Sequence, residues 1–229
     1  MNHKNLTIIG TSHIAKESIK EVQNVLDETK PDMIAVELDR ARLYAILHPR
    51  SRSVSWRDII QVGIKGFLFA LMGAWATRKL GKMVGVPPGS DMMTAVRWAR
   101  KNKTPLALID QNIAITLHRF SQEITWREKG RFVMDIIKGF IFRKPIVTFD
   151  LRKVPSAKTI KKLLQYTKER YPNAYKVLVD ERNVVMARRL AMLHKKHPDD
   201  KIVAIVGAGH EEEMLELYKK YIKKAKKNI

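Results

Sequence analysis

The chain alternates short, uniformly apolar runs with longer segments whose apolar residues recur every three or four positions. Four short runs stand out: "LTIIG" at 6–10, "MIAVEL" at 33–38, "PLALID" at 105–110 and "KIVAIVG" at 201–207. None alternates apolar with polar, so each reads as a strand covered on both faces, the pattern of a parallel sheet. Between the first two, "AKESIKEVQNVLDETK" sets Ile19, Val22, Val25 and Leu26 on one helical side and is closed by Pro31. Strand, helix, strand is a βαβ unit. A fifth run, "PIVTF" at 145–149, predicts an edge strand.

The middle of the chain is helical by pattern. Over 41–100, Ile60, Ile64, Phe67, Leu68, Leu71 and Trp75 recur at helical spacing beside a stripe of small residues, Gly66, Ala70, Gly73, Ala74 and Thr77. A helical insertion packed on its own domain is the plain reading; a homodimer contact or a membrane-surface element is the alternative. Residues 113–142 form a further helical segment, and "VDERNVVMARRLAMLHKKH" at 179–197 and the stretch 211–225 are amphipathic helices. The expected architecture is α/β: one domain over 1–229, with a mainly parallel central sheet flanked by helices and a helical insertion at about 41–100.

Composition narrows the chemistry. The 229 residues include no cysteine, which removes disulfides, thiolate ligands and a cysteine nucleophile, and leaves any metal to histidine, carboxylate or water. Forty-four Lys and Arg against 23 Asp and Glu give a formal net charge of +21, which calls for an anionic neighbour. Aromatic residues are 7% of the chain and do not interleave with a basic stripe, so an anionic membrane surface is favoured and no specific nucleic acid is expected. The N-terminus lacks the pattern of a signal peptide, and the apolar window "GFLFALMGAWAT" at 66–77 is shorter than the ~20 residues of a spanning helix. The expected location is the cytoplasmic side, with membrane association.

Each apolar run ends in a group able to bind a metal or move a proton. Ser12 and His13 follow the first, Glu37 closes the second, Asp110 the third, and His210 follows the last. "TIIGTSH" at 7–13 and "AIVGAGH" at 204–210 are two copies of one unit, an apolar strand followed by Gly-x-x-His. If the first and last strands are neighbours, these groups converge at the carboxyl edge of the sheet, where ligands sit in such folds. Ordinary turn chemistry accounts for either glycine alone, and Asp110 could open a turn in "IDQN". Glu37 is harder to explain that way, because a carboxylate ending an apolar strand is costly unless something pairs it. Other motifs fail: "GAGHEE" has Glu212 where a dinucleotide fingerprint needs its third glycine, and Met214 stands where a zincin helix needs its second histidine. "HKKH" at 194–197 reads as a solvated cationic helix end.

In order, "IIGTSHIAKES", "PDMIAVELDRARLYAIL", "VGVPPGSDMMTAV", "LIDQNIAITLHR", "DERNVVMARRL" and "VAIVGAGH" resemble the TraB family over nearly the whole chain. That family takes in pheromone-shutdown proteins of conjugative plasmids and archaeal relatives, and is similar to the Tiki metalloproteases and the erythromycin-esterase/ChaN-like group. The chain looks like an archaeal-type member. The resemblance implies a metallohydrolase site in which the two Gly-x-x-His motifs fall on Gly10–His13 and Gly207–His210 and the acidic strand end on Glu37. The arginine of "DERN" falls on Arg182 and the acid of "IDQN" on Asp110. Two departures stand out. Asp39 follows "VEL" where many relatives carry cysteine, so that position is not expected to be chemical. Similar archaeal members continue into hydrophobic membrane segments, whereas this chain ends in "KKYIKKAKKNI" and is expected to be a soluble fragment or a short member.

The expected mechanism has His13 and His210 binding a divalent ion, Mn, Zn or Co, with Glu37 as third ligand or as general base. Arg182 orients or neutralises the substrate, a peptide or small molecule, and peptide-bond hydrolysis is what the likeness to Tiki suggests. The alternative is a non-catalytic peptide- or partner-binding protein at the membrane surface. In the C-terminal helix, Leu217, Tyr218, Tyr221 and Ile222 are expected to face the domain while the lysines face outward.

Overall fold

A computed structural model describes residues 2–3, 5–11, 16–48, 89–142 and 157–227. Strands β1 (Asn2–His3), β2 (Leu6–Thr11), β3 (Met33–Val36), β4 (Leu106–Leu108) and β5 (Ile202–Gly207) form one sheet in the order β1-β2-β5-β3-β4. The last strand in sequence therefore lies between the first two long ones. β2, β5, β3 and β4 run parallel and β1 antiparallel to β2. Pairing of Thr11 with Gly207 puts the ends of both Gly-x-x-His strands at one edge. All four runs read as strands are strands in the structure. The two-residue β1, with no periodicity of its own, was not foreseen.

Strand alternation splits the core into two layers. Leu6 and Ile8 of β2 join Ile202, Ala204 and Val206 of β5 on one face, under Met186, Leu190, Met214 and Tyr218. Ile9, Val203, Ile205, Ile34 and Val36 face the other way, against Val22, Leu26, Met92, Val96 and Trp98. The helices on the first face are α8 (Glu181–Lys196) and α9 (Glu211–Lys227); those on the second are α1 (Lys16–Thr29) and α3 (Ser90–Asn102). Covering both faces is what keeps β3, β4 and β5 apolar along their length. Trp98 also ties α3 to α1, its indole N–H donating to Asp27 Oδ1 at 2.7 Å.

Between these elements lie α2 (Arg40–Leu47), α4 (Ile113–Glu123), α5 (Trp126–Phe142), α6 (Ala157–Arg170), α7 (Pro172–Tyr175) and a π-helical turn over Lys176–Asp180. The helical stretch at 113–142 breaks at Ile124–Thr125, where "TWRE" forms a capping box. Glu128 Oε2 accepts from the Thr125 N–H at 3.1 Å, and the Thr125 hydroxyl accepts from the Glu128 N–H at 3.3 Å. Of the expected insertion, α2 and the first part of α3 fall inside 41–100; residues 49–88, with the apolar and small-residue stripes, lie outside the described residues. So does "PIVTF" at 145–149. Leu217, Tyr221 and Ile222 of α9 pack on the core around buried Tyr218, as their spacing predicts. His194 departs from expectation: rather than belonging to a solvated helix end it is buried, its Nδ1 2.9 Å from the Tyr218 hydroxyl. Among the described residues no helix is long and apolar enough to cross a membrane.

Candidate functional site

β3 ends one residue before Glu37, whose N–H still donates to Ile205 O at 3.0 Å. The backbone thus delivers the carboxyl group to the edge beside β5, where Glu37 Oε2 accepts the Gly207 N–H at 2.6 Å. Asp110 lies two residues beyond β4 and accepts the Gln111 N–H at 2.7 Å. Both acids are buried, Glu37 to 5% exposure and Asp110 to 0%. Two carboxylates in such a place need a cation, and Arg182 in the first turn of α8 supplies it.

The guanidinium forks onto Asp110, with Nε to Oδ1 at 3.1 Å and Nη2 to Oδ2 at 2.7 Å. Nη2 also donates to Glu37 Oε1, and Nη1 to Leu178 O at 3.2 Å. That carbonyl lies in the π turn, closed by the Glu181 N–H bonding back to Lys176 O. Such widened turns recur at functional sites. Burial works against the Arg182 charge, but Glu37 and Asp110 outweigh it, so the group is held protonated more firmly than a free arginine. Arg42 of α2 donates to Asp110 Oδ2 as well, and Arg189 to the Asp110 carbonyl.

A chain of hydrogen bonds fixes the state of His210. A carboxylate only accepts, so the contact of Asn183 with Glu213 Oε2 at 2.9 Å must come from the amide nitrogen. Asn183 Oδ1 then faces His210 Nδ1 at 2.7 Å, and Nδ1 carries the proton. The Nε2 lone pair is left toward Arg182 Nη1 at 3.2 Å, with Glu37 Oε1 at 3.5 Å. With Nδ1 facing a carbonyl oxygen and Nε2 facing a guanidinium that can only donate, these contacts match one imidazole tautomer. Tyr175 donates its hydroxyl to Glu213 Oε1 at 3.2 Å; burial, and then the Glu213 charge, push that phenol up and keep it a donor.

Glu37, Asp110, Arg182 and His210 are thus brought together. Ser12 and His13 lie outside the described residues; of the first motif, Gly10 and Thr11 pair with Val206 and Gly207. A Cβ at Gly10 would displace the movable end of the Glu211 side chain and come 3.1 Å from Ala208 Cα, a tight approach to backbone. Asp39 is structural, as its departure from the cysteine pattern suggests. It caps α2 by accepting the Arg42 N–H at 2.8 Å, and it accepts the Ile113 N–H at 2.7 Å. Among the described residues no three His, Asp or Glu side chains are grouped to hold a metal ion; the two carboxylates and the imidazole surround a guanidinium instead. Sequence reasoning missed Arg42, Asn183, Arg189 and Glu213, although Asn183 and Glu213 adjoin the residues it singled out.

The sequence pattern of the TraB/PrgY/gumN family matches residues 1–219. The chain belongs to that family. It is similar to the Uncharacterized protein MJ1365 of Methanocaldococcus jannaschii, 33% identical over 222 residues, covering 96% of this chain and 55% of that protein. The TraB domain-containing proteins of Mus musculus and Homo sapiens are 21% identical over 229 residues, covering 89% of this chain and 60% of each of them. The chain therefore spans little more than half the length of these relatives.

Proposed function

We propose that this TraB-family chain is a metal-dependent hydrolase of peptide or ester bonds whose site is Glu37, Asp110, Arg182 and His210. The observation that carries the reading is the relay from half-buried Glu213 through buried Asn183, which presents Nε2 of His210 at 3.5 Å from Glu37 Oε1. The spacing is one that two ligands of a single divalent ion can hold, and the place between them is now taken by the Arg182 guanidinium, which an ion would have to displace. An imidazole whose other nitrogen donates to a fixed acceptor is also the usual form of a metal ligand. His13, two residues after β2 in sequence and outside the described residues, is our candidate for the second imidazole. A bound ion would supply Lewis acidity to the substrate carbonyl and to water. Glu37 serves either as a third ligand or as the general base that takes a proton from the attacking water. Arg182, anchored on Asp110, stabilises the negative charge that develops on the substrate oxygen.

The test is elemental analysis of the purified protein beside His13→Ala and His210→Ala. Metal in the native chain and its loss from both variants supports the reading; equal content in all three overturns it. Glu37→Gln separates the two roles of the acid: metal kept with turnover lost makes it a base, metal lost makes it a ligand.

One observation favours a second reading. Arg182 lies between His210 Nε2 and Glu37 Oε1, where it already satisfies both. A cluster closed in that way suits a non-catalytic peptide- or partner-binding protein, and capture of peptides without cleavage by metal-supplemented protein would establish it.

A further inference from the structure

A cleft of about 680 Å³ opens beside this site, between α6, the turn after β5 and the start of α9. Its size is that of a ligand pocket. Asn183 and Gly209, chain neighbours of Arg182 and His210, form part of its lining. Ile160, Leu164 and Leu217 provide an apolar wall, and five carboxylates, Asp180, Glu211, Glu212, Glu213 and Glu216, line the remainder against three lysines, Lys161, Lys168 and Lys220. In a chain of net charge +21 this is a locally acidic surface. The dipole of α9 accounts for the three glutamates of its first turn. It accounts for neither Asp180 nor Glu216, nor for the volume.

The cleft already receives a cation from its own chain. Lys168 Nζ lies 5.1 Å from the centre of the Tyr175 ring, an ammonium over an aromatic face beside carboxylates. Lys161 reaches Glu212 at 3.5 Å, with both side chains largely in solvent.

We propose that this cleft is a subsite for a basic side chain of a peptide, lysine or arginine, whose aliphatic stem lies on the apolar wall and whose cationic head meets the carboxylates, Asp180 foremost. Burial and then the Glu213 charge push the Asp180 carboxyl up, against the partial relief that Lys168 gives. A second cation beside it would offset both effects and favour the ionised carboxylate. Long aliphatic stems with charged heads match a wall that is apolar on one side and acidic on the other. The inference rests on the hydrolase reading only for cleavage next to the bound residue; the binding preference stands without it.

The experiment is calorimetric titration of the full chain with three capped pentapeptides that differ at the central residue: lysine, norleucine and glutamate. The lysine peptide is expected to bind at least ten-fold more tightly than the norleucine one. A net charge of +21 attracts anions, so a preference for lysine over glutamate must arise locally, and raising the salt must not reverse it. Asp180→Asn should weaken the lysine peptide five- to ten-fold. Lys168→Met removes the resident cation from an exposed position and should tighten binding two- to five-fold, a gain that misfolding cannot imitate. Equal affinity for lysine and norleucine, or a Lys168→Met that weakens binding, overturns the subsite. Binding with the expected preference but no cleavage of the peptides or their ester counterparts by metal-supplemented protein leaves the subsite standing and refutes the hydrolase reading alone.

Discussion

Replacing Arg182 with methionine should turn a buried, neutralised cluster into two buried acids. Asp110 keeps the guanidinium of Arg42 and the Gln111 N–H, so it remains partnered. Glu37 keeps the Gly207 N–H and the His210 ring nearby, and loses the cation that Nη2 supplied. Breaking a buried ion pair from one side costs about 3–5 kcal/mol, and here most of it falls on Glu37. Against a typical domain stability of about 5–15 kcal/mol, the variant stays folded at neutral pH with a much reduced margin. The sign of the pH dependence follows from the same geometry. Without Arg182, burial raises the folded-state pKa of Glu37 above its unfolded value of about 4.3. A carboxyl raised in that way is bound with its proton in the fold, so its contribution is fully present below about pH 4 and is lost as pH rises through the folded value. Urea denaturation of Arg182→Met at pH 4 and pH 7.5 should therefore show the variant approaching the native chain at the lower pH. Adding Glu37→Gln should restore about 2 kcal/mol at pH 7.5, since the amide carries no charge to neutralise. A loss under 1 kcal/mol at pH 7.5, or an equal loss at both pH values, would refute the argument that Arg182 is the charge on which the cluster depends.

Asn183→Leu should leave His210 Nδ1 without its acceptor, cost ~1–3 kcal/mol, and mix the two imidazole tautomers, which long-range ¹⁵N correlation spectra of the ring read directly. An unchanged single tautomer would mean that Glu37 and Arg182 hold the ring unaided. Asp135 is a remote case: the Arg170 guanidinium, and then the Tyr171 hydroxyl, hold its carboxyl at about 2 against the resistance of burial. Its folded pKa is depressed, so the stabilisation is present above about pH 4 and disappears as pH falls through 2. Asp135→Asn should cost ~1 kcal/mol at pH 7, water screening the Arg170 side, and an acid titration of stability should show native and variant curves converging below pH 4.

How far the sequence revealed this arrangement depended on which kind of signal each residue carried. Burial on both faces leaves a mark at every strand position, so Ile34, Val36, Val203 and Ile205 identified their strands without help. A polar residue ending such a run is conspicuous by contrast, and Glu37, Asp110 and His210 were found in that way. Arg182 sits in a helix full of arginines, where composition hides it; resemblance, not periodicity, singled it out. Asn183 and Glu213 act through one hydrogen bond to each other, 2.9 Å long and spanning thirty positions of sequence, and no local pattern encodes a pairing of that kind. The "TWRE" box was legible by its spacing alone and marks the break that the helical reading of 113–142 ran through.

Because β5 enters the sheet between β2 and β3, the order of synthesis and the order of assembly differ. On the ribosome β2 and β3 emerge early, yet neither can pair through the other; each exposes an open edge until residues 202–207 arrive. The sheet therefore closes by a late, long-range step, the kind that folds slowly and leaves apolar strands accessible meanwhile. The same step brings Gly207 to Glu37 and His210 to Arg182. Nascent or nicked chains lacking β5 thus carry the acids and the arginine but no assembled site, and whatever chemistry the edge performs is withheld until the fold is complete.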